Sequence, residues 1–163
     1  LLVDKLSQTN APLSRAFEDE FFENNHPIEI DIHQAMDYYL EKTTIKLIEQ
    51  GTDINKQDKD GNSVLRKAWD HRFKDIVKLL LKKGVSIDEK RGPDNNTLLI
   101  DAVLHVESTQ DIQFLLNNQA NIDEKDAYGN TALDYAKKRR YINIINILEK
   151  AREEKSTAQA NHE

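Results

Sequence analysis

Cysteine is absent from all 163 residues, which removes disulfides, thiolate metal sites and cysteine nucleophiles together and fits an intracellular protein. Long apolar runs are also missing: none approaches the roughly 18–20 residues that a membrane helix needs. Positive charge is outnumbered, with 23 Lys and Arg against 29 Asp and Glu and a net charge of −6. Phosphate backbones are repelled on average by such a chain, which argues against nucleic acid as a partner. Catalytic constellations are lacking too. His26, His33, His71, His105 and His162 are dispersed, and there is no His-Glu-x-x-His helix, no glycine-rich Lys-Ser/Thr phosphate loop and no Gly-x-Ser-x-Gly elbow. The expectation is therefore no enzyme, no metal and no cofactor. A chain that starts at Leu1 rather than methionine is expected to be an excised or processed piece.

What is present is a soluble composition, 32% charged and 38% apolar, and a strong internal period. The stretch Asp58–Asp88 contains a whole unit. Asp58 and Gly61 mark a tight turn, Ser63 is placed to cap a helix over about Val64–His71, and a second helix is expected over about Lys74–Lys83. There Ile76, Val77, Leu79, Leu80 and Leu81 form one apolar face, and Gly84 sits where a left-handed residue would end the helix. Gly51 precedes Gly84 by 33 residues, Thr97 follows Ser63 by 34, and Thr131 follows Thr97 by 34. Four copies result, at about 30–57, 58–90, 91–125 and 126–151. The first is degenerate, with Thr43, Thr44 and Lys46 where Ile76, Val77 and Leu79 stand. In the third, Asn95 and Gln119 replace the two glycines, and one residue is added between the helices near Val106 to Thr109.

The flanks differ from the repeats. Residues 1–29 are expected to form an arm and a capping helix over Ser14–Asn24, whose Leu13, Phe17, Phe21 and Phe22 want burial over the open end of the stack, with partner docking as the other use of that face. Glu18, Asp19, Glu20 and Glu23 make its solvated side. Residues 152–163 are polar without apolar period and are expected to be disordered.

These residues resemble the ankyrin repeat. Asp126, Gly129, Thr131, Leu133 and Ala136 carry its signature most fully. Asp58, Gly61, Ser63, Leu65 and Ala68 repeat it, while Ile32, His33, Ala35, Gly51, Asp53 and Asn55 keep part of it, as do Thr97, Leu99, Ala102, Ala120 and Asn121. No copy has the family's proline, and His33 alone keeps its histidine. The resemblance implies an all-α solenoid of stacked helix-turn-helix units, and a non-catalytic module that binds a protein partner through its concave face and turn tips. Position by position it implies contact residues at Asp37 and Tyr38, at Gln57, Lys59, Asp60, Asn62, Asp70 and His71, at Arg91, Asp94, Asn96, Leu104 and His105, and at Lys125, Ala127, Tyr128, Asn130, Lys138 and Arg139. It also implies a monomer in the cytoplasm.

Several residues stay open at this level. Trp69 stands in an alanine slot and either fills space between repeats or protrudes as a contact; Tyr38 and Tyr39 are equally balanced; Arg72 stands where the family has glycine. Lys137–Arg140 reads either as helix-end cations or as a nuclear-localisation or phosphate-binding patch. The alternative function is the targeting part of a larger enzyme or translocated microbial effector, which would place the chain in a host cytosol.

Overall fold

Paired short helices are what the period dictates, and the computed structural model describes residues 30–105 and 108–160. Eight helices occur among them: α1 (Ile32–Asp37), α2 (Glu41–Glu49), α3 (Val64–Asp70), α4 (Lys74–Lys82), α5 (Leu98–Leu104), α6 (Thr109–Asn117), α7 (Ala132–Arg139) and α8 (Ile142–Ala160). No strand forms among the described residues; an isolated bridge joins Arg91 and Asn96. None of these helices is long and apolar enough to cross a membrane. The expected arm and capping helix within residues 1–29 lie outside the described residues, as do residues 106–107 and 161–163.

The chain divides into two compact units, residues 1–85 and 86–163. In the first, α1 pairs with α2 and α3 with α4, while α1 lies on α3 and α2 on α4. Ile32, Met36, Leu65, Ile76 and Leu80 are fully buried between them. In α4, Ile76, Val77 and Leu80 face inward, whereas Leu79 and Leu81 of the expected apolar face are half-exposed. Of the polar intruders of α2, Thr43 and Thr44 are buried and Lys46 is half-exposed, and Thr44 satisfies its hydroxyl by donating to the Leu40 carbonyl at 2.8 Å. The second unit repeats the arrangement with α5 on α7 and α6 on α8. Helix α5 is apolar nearly all round, and Leu98, Leu99, Ile100, Ala102 and Val103 are all buried.

Capping explains where the helices start. Ser63, Thr97 and Thr131 accept the N–H groups of Arg66 (3.0 Å), Ile100 (3.3 Å) and Asp134 (3.2 Å). In the first copy that slot holds the apolar Ile30, and the cap moves one residue on. Asp31 accepts the Gln34 N–H at 2.8 Å, and the Gln34 side chain accepts the Asp31 N–H at 3.0 Å, a reciprocal capping box. Three residues separate α1 from α2 and α3 from α4, but four separate α5 from α6, which locates the added residue of the third copy.

Helix ends follow the same logic with exceptions. Gly51 (φ 87°) and Gly84 (φ 92°) leave α2 and α4 in left-handed backbone, and Gln119 (φ 67°) does the same after α6. A residue with a Cβ pays roughly 1–2 kcal/mol there. Because the Gln119 side chain is exposed, Gln119→Gly is expected to raise stability by about 1 kcal/mol, read as a higher urea midpoint at unchanged m.

Helix α8 corrects the expectation that order stops at Ala151: it continues to Ala160. The extension has no apolar stripe and is held by charge. Arg152 meets Asp123 at 3.1 Å, and Lys155 reaches Asp123 at 3.8 Å and the Asn121 amide oxygen at 2.9 Å.

Candidate functional site

The surface that the repeats offer is built on their turns. Asp58 opens the turn of the second copy, and its Oδ1 accepts the N–H groups of Asp60 (2.9 Å) and Asn62 (2.8 Å). Asp126 does the same for Tyr128 (2.8 Å) and Asn130 (2.9 Å). In the third copy the equivalent residue is Gly92, and the carboxylate is replaced by backbone pairing, Arg91 N–H to Asn96 O at 3.0 Å and the reverse at 3.1 Å. Each turn is then tied to its own inner helix at one recurring position. Lys67 donates to Asp58 at 3.1 Å and the Tyr135 hydroxyl donates to Asp126. Where the turn has lost its acid, the helix supplies one, and Asn96 Nδ2 donates to Asp101 at 2.9 Å.

These ties settle the charges. Burial works against ionisation of Asp58, but the side-chain and backbone N–H groups of Asn62, the Lys67 ammonium and the Asp60 N–H outweigh it and hold the carboxyl well below the usual range. Burial opposes the charge on Lys67 in the same way, and its bonds to Asp37 (2.8 Å) and Asp58 override that and raise its pKa. For Asp126, burial is overcome by Tyr135 and the N–H groups of Asn130 and Tyr128, again lowering the carboxyl. The Asp58 and Asp126 turns are therefore each held by an ionised carboxylate.

In the first unit, Lys59, Asp60 and Asn62 come together with Asp37 and Gln57 around a cleft of about 590 Å³. His33 borders it from α1 and ties turn to helix, Nε2 to the Lys56 carbonyl at 2.9 Å. Lys59 and Asp60 are exposed, whereas Asn62 is half-buried with Nδ2 given to Asp58 at 3.0 Å. Asp70 is exposed and pairs with Arg66 at 3.1 Å. His71 is half-buried against Tyr39, ring centroids 4.6 Å apart, and Tyr38 caps α1 half-buried. Trp69 is 2% exposed. Of the two uses open to it, Trp69 packs, because the slot lies inside the unit; the reading of Trp69 as a contact residue fails, since the ring offers no contact surface.

In the second unit, Tyr128 is 70% exposed at its turn tip, and its hydroxyl donates to Asp94 at 2.9 Å. The tips of the third and fourth copies also join through the Ala127 N–H and the Asp94 carbonyl at 2.8 Å. Arg91 and Asn96 are half-buried in the bridge, and Asn130 is half-buried with Nδ2 3.4 Å from the Tyr135 hydroxyl. His105 and Lys138 are exposed, and Arg139 donates to the carbonyl of Leu104, the last residue of α5, at 2.6 Å. Within the basic run, Lys137 pairs with Glu149 at 2.8 Å. Sequence reasoning did not single out Lys67, Asp101 or Tyr135. A signal existed, since Lys67 and Tyr135 each follow their turn aspartate by nine residues and lie at one position of the period.

Helix pairs recurring every 33–34 residues, most of them entered through a Ser or Thr cap and two of them tied to an Asp-anchored turn, define a helical-repeat protein. The chain belongs to the ankyrin-repeat family: the family model described as ankyrin repeats (3 copies) matches residues 32–126. Repeats of this family are in general protein–protein interaction modules, and the fold is typically non-catalytic. The chain is similar to the human palmitoyltransferase ZDHHC17, 40% identical over 81 residues that make 50% of this chain and 13% of that protein. It is also similar to human neurogenic locus notch homolog protein 2, 29% identical over 109 residues, 66% of this chain and 4% of that one. It thus corresponds to a small part of either relative. A crystal structure of an ankyrin repeat domain from Acinetobacter baumannii AYE matches the fold with TM-score 0.60 and 20% identity, covering 74% of this chain and 60% of that one.

Proposed function

We propose that the chain is a non-catalytic module that holds a protein partner on its turn tips and the inner-helix residues beside them. The observation that supports this reading is an exposed aromatic ring on a rigid support. Tyr128 stands 70% exposed on a turn whose backbone is bonded to Asp126 and whose hydroxyl is fixed by Asp94. A ring already immobilised loses little freedom on binding, which is the property that makes tyrosine effective in interfaces. In the first unit the tip residues Lys59 and Asp60 stand on the equivalent support at the cleft.

Recovery of a partner from cell extract is expected to fall by about tenfold or more with Tyr128→Ala, and less with Lys59→Ala. Circular dichroism should show both variants folded, since neither side chain is buried. Unchanged recovery with both would sink the assignment. A second reading, the targeting part of a larger enzyme, is favoured by one observation: the repeats similar to this chain occupy only 13% of the palmitoyltransferase. The length of the intact gene decides whether a catalytic domain has room.

A further inference from the structure

The turn between α1 and α2 carries a feature that the contact surface above does not use. Tyr39 sits there in left-handed backbone, φ 58°, with its ring 47% exposed. Arg72 and Arg140 adopt the same backbone at the equivalent turns, and at each of the three the Cβ meets the same steric cost. Glycine would relieve the strain. Such strain is retained where the side chain has work to do.

The surroundings indicate what work. The Tyr39 ring meets His71 edge-on at 4.6 Å and Phe73 at 6.1 Å, and His71 lies tilted on Phe73 at 5.7 Å. Burial lowers the His71 pKa, so the imidazole is neutral near pH 7 and adds no repelling cation. Beside the rings stands Asp37, whose side chain is 54% exposed. Its Oδ1 receives Lys67 at 2.8 Å and lies 4.0 Å from His71 Nε2, and no bond to its Oδ2 is found among the described residues. Aromatic faces next to an open carboxylate oxygen are complementary to a flat cation that stacks and donates at once, which is the chemistry of a guanidinium more than of an ammonium.

We propose that the Tyr39, His71 and Phe73 rings, with the Asp37 carboxylate beside them, form a seat for an arginine side chain presented by a protein partner. This rests on the reading of the chain as a protein-binding module, and it names one residue type that the partner brings. The site lies within the first unit and does not involve Tyr128.

Titration of the full chain with a capped Gly-Ser-Arg-Ser-Gly peptide, followed by NMR, tests it. Saturable shifts are expected at Asp37, Tyr39 and His71, about threefold or more weaker with lysine in place of arginine and absent with citrulline, which keeps the plane but not the charge. Tyr39→Gly is expected to abolish the shifts while raising Tm by about 2–5 °C as the backbone strain is released; Asp37→Asn is expected to weaken them. No saturable shift with the arginine peptide, equal binding of a glutamate peptide, or a lower Tm in Tyr39→Gly would each overturn the proposal. Those results leave partner recovery through Tyr128 untouched, so the two readings fail separately.

Discussion

Trp69→Ala is expected to lower the stability of the first unit by about 3–5 kcal/mol. The ring is 2% exposed at the end of α3, next to Ala68, which is fully buried. The crevice that Trp69 borders with Ala68, Arg72, Lys74 and Val77 has no room for a water molecule. Removing the indole leaves a void that short helices fixed at both ends by caps and turns fill only in part. Few substitutions in this chain delete more buried volume. Global stabilities are about 5–15 kcal/mol, so the variant is expected to be partly unfolded at 37 °C, while Trp69→Phe costs about 1–2 kcal/mol. Urea denaturation followed by circular dichroism measures both. A loss under 1 kcal/mol for Trp69→Ala would return the ring to the surface. Lost partner binding in Trp69→Ala would report unfolding rather than a contact, and Tyr128 and Tyr39 are the cleaner probes.

Trp69 also illustrates what the amino-acid order could and could not convey. The helices were legible because their signals are local: a hydroxyl at Ser63, Thr97 and Thr131, an apolar face such as Ile76, Val77 and Leu80, and a left-handed residue at Gly84. Expected and observed ends of α3 and α4 differ by one residue. The fate of Trp69 was open because burial of a large ring depends on what stands across from it, which no local pattern encodes. Helix α8 beyond Ala151 was misread for a related reason. Its support comes from Asp123 and Asn121, about 30 residues earlier, through charge pairs that leave no periodic trace. The candidate surface was legible at the outermost tip residues, as for the exposed Lys59, Asp60 and Tyr128, but not at Asn62, Arg91, Asn96 and Asn130, which are half-buried by bonds to their own turn or helix. Nor was its scaffolding. Lys67 bonds Asp58 nine residues before it and Asp37 thirty residues before it, and only the fold brings the three together.

That scaffold carries the other large effect, and Asp58→Ala is expected to cost about 2–4 kcal/mol. One carboxylate serves four donors: two backbone N–H groups at 2.8 and 2.9 Å, the Asn62 amide at 3.0 Å and the Lys67 ammonium at 3.1 Å. The Asp58 and Lys67 side chains are largely covered, at 9% and 12% exposure, so water replaces the lost acceptor poorly, and Lys67 keeps Asp37 alone. Asp58→Asn preserves an acceptor for the two N–H groups and should cost about half as much, which separates turn geometry from charge. Acid makes a similar change reversibly. The folded Asp58 carboxyl lies below its unfolded value of about 3.9, so its contribution is complete above about pH 4 and is lost as pH falls through the folded pKa. Lys67 acts on the other side: its raised pKa gives stability that is complete below about pH 10.4 and lost as pH rises through the folded value. Urea midpoints from about pH 5 to about pH 2 should therefore fall more steeply for the wild type than for Asp58→Asn, the two curves converging in strong acid. A residual slope is expected in the variant from Asp126, whose carboxyl is lowered in the second unit. Parallel slopes across that range would mean that the ionised carboxylate is not what holds the turn, and the support inferred beneath Lys59 and Asp60 would have to rest on other bonds, as at Gly92, where backbone pairing and the Asn96–Asp101 bond take its place.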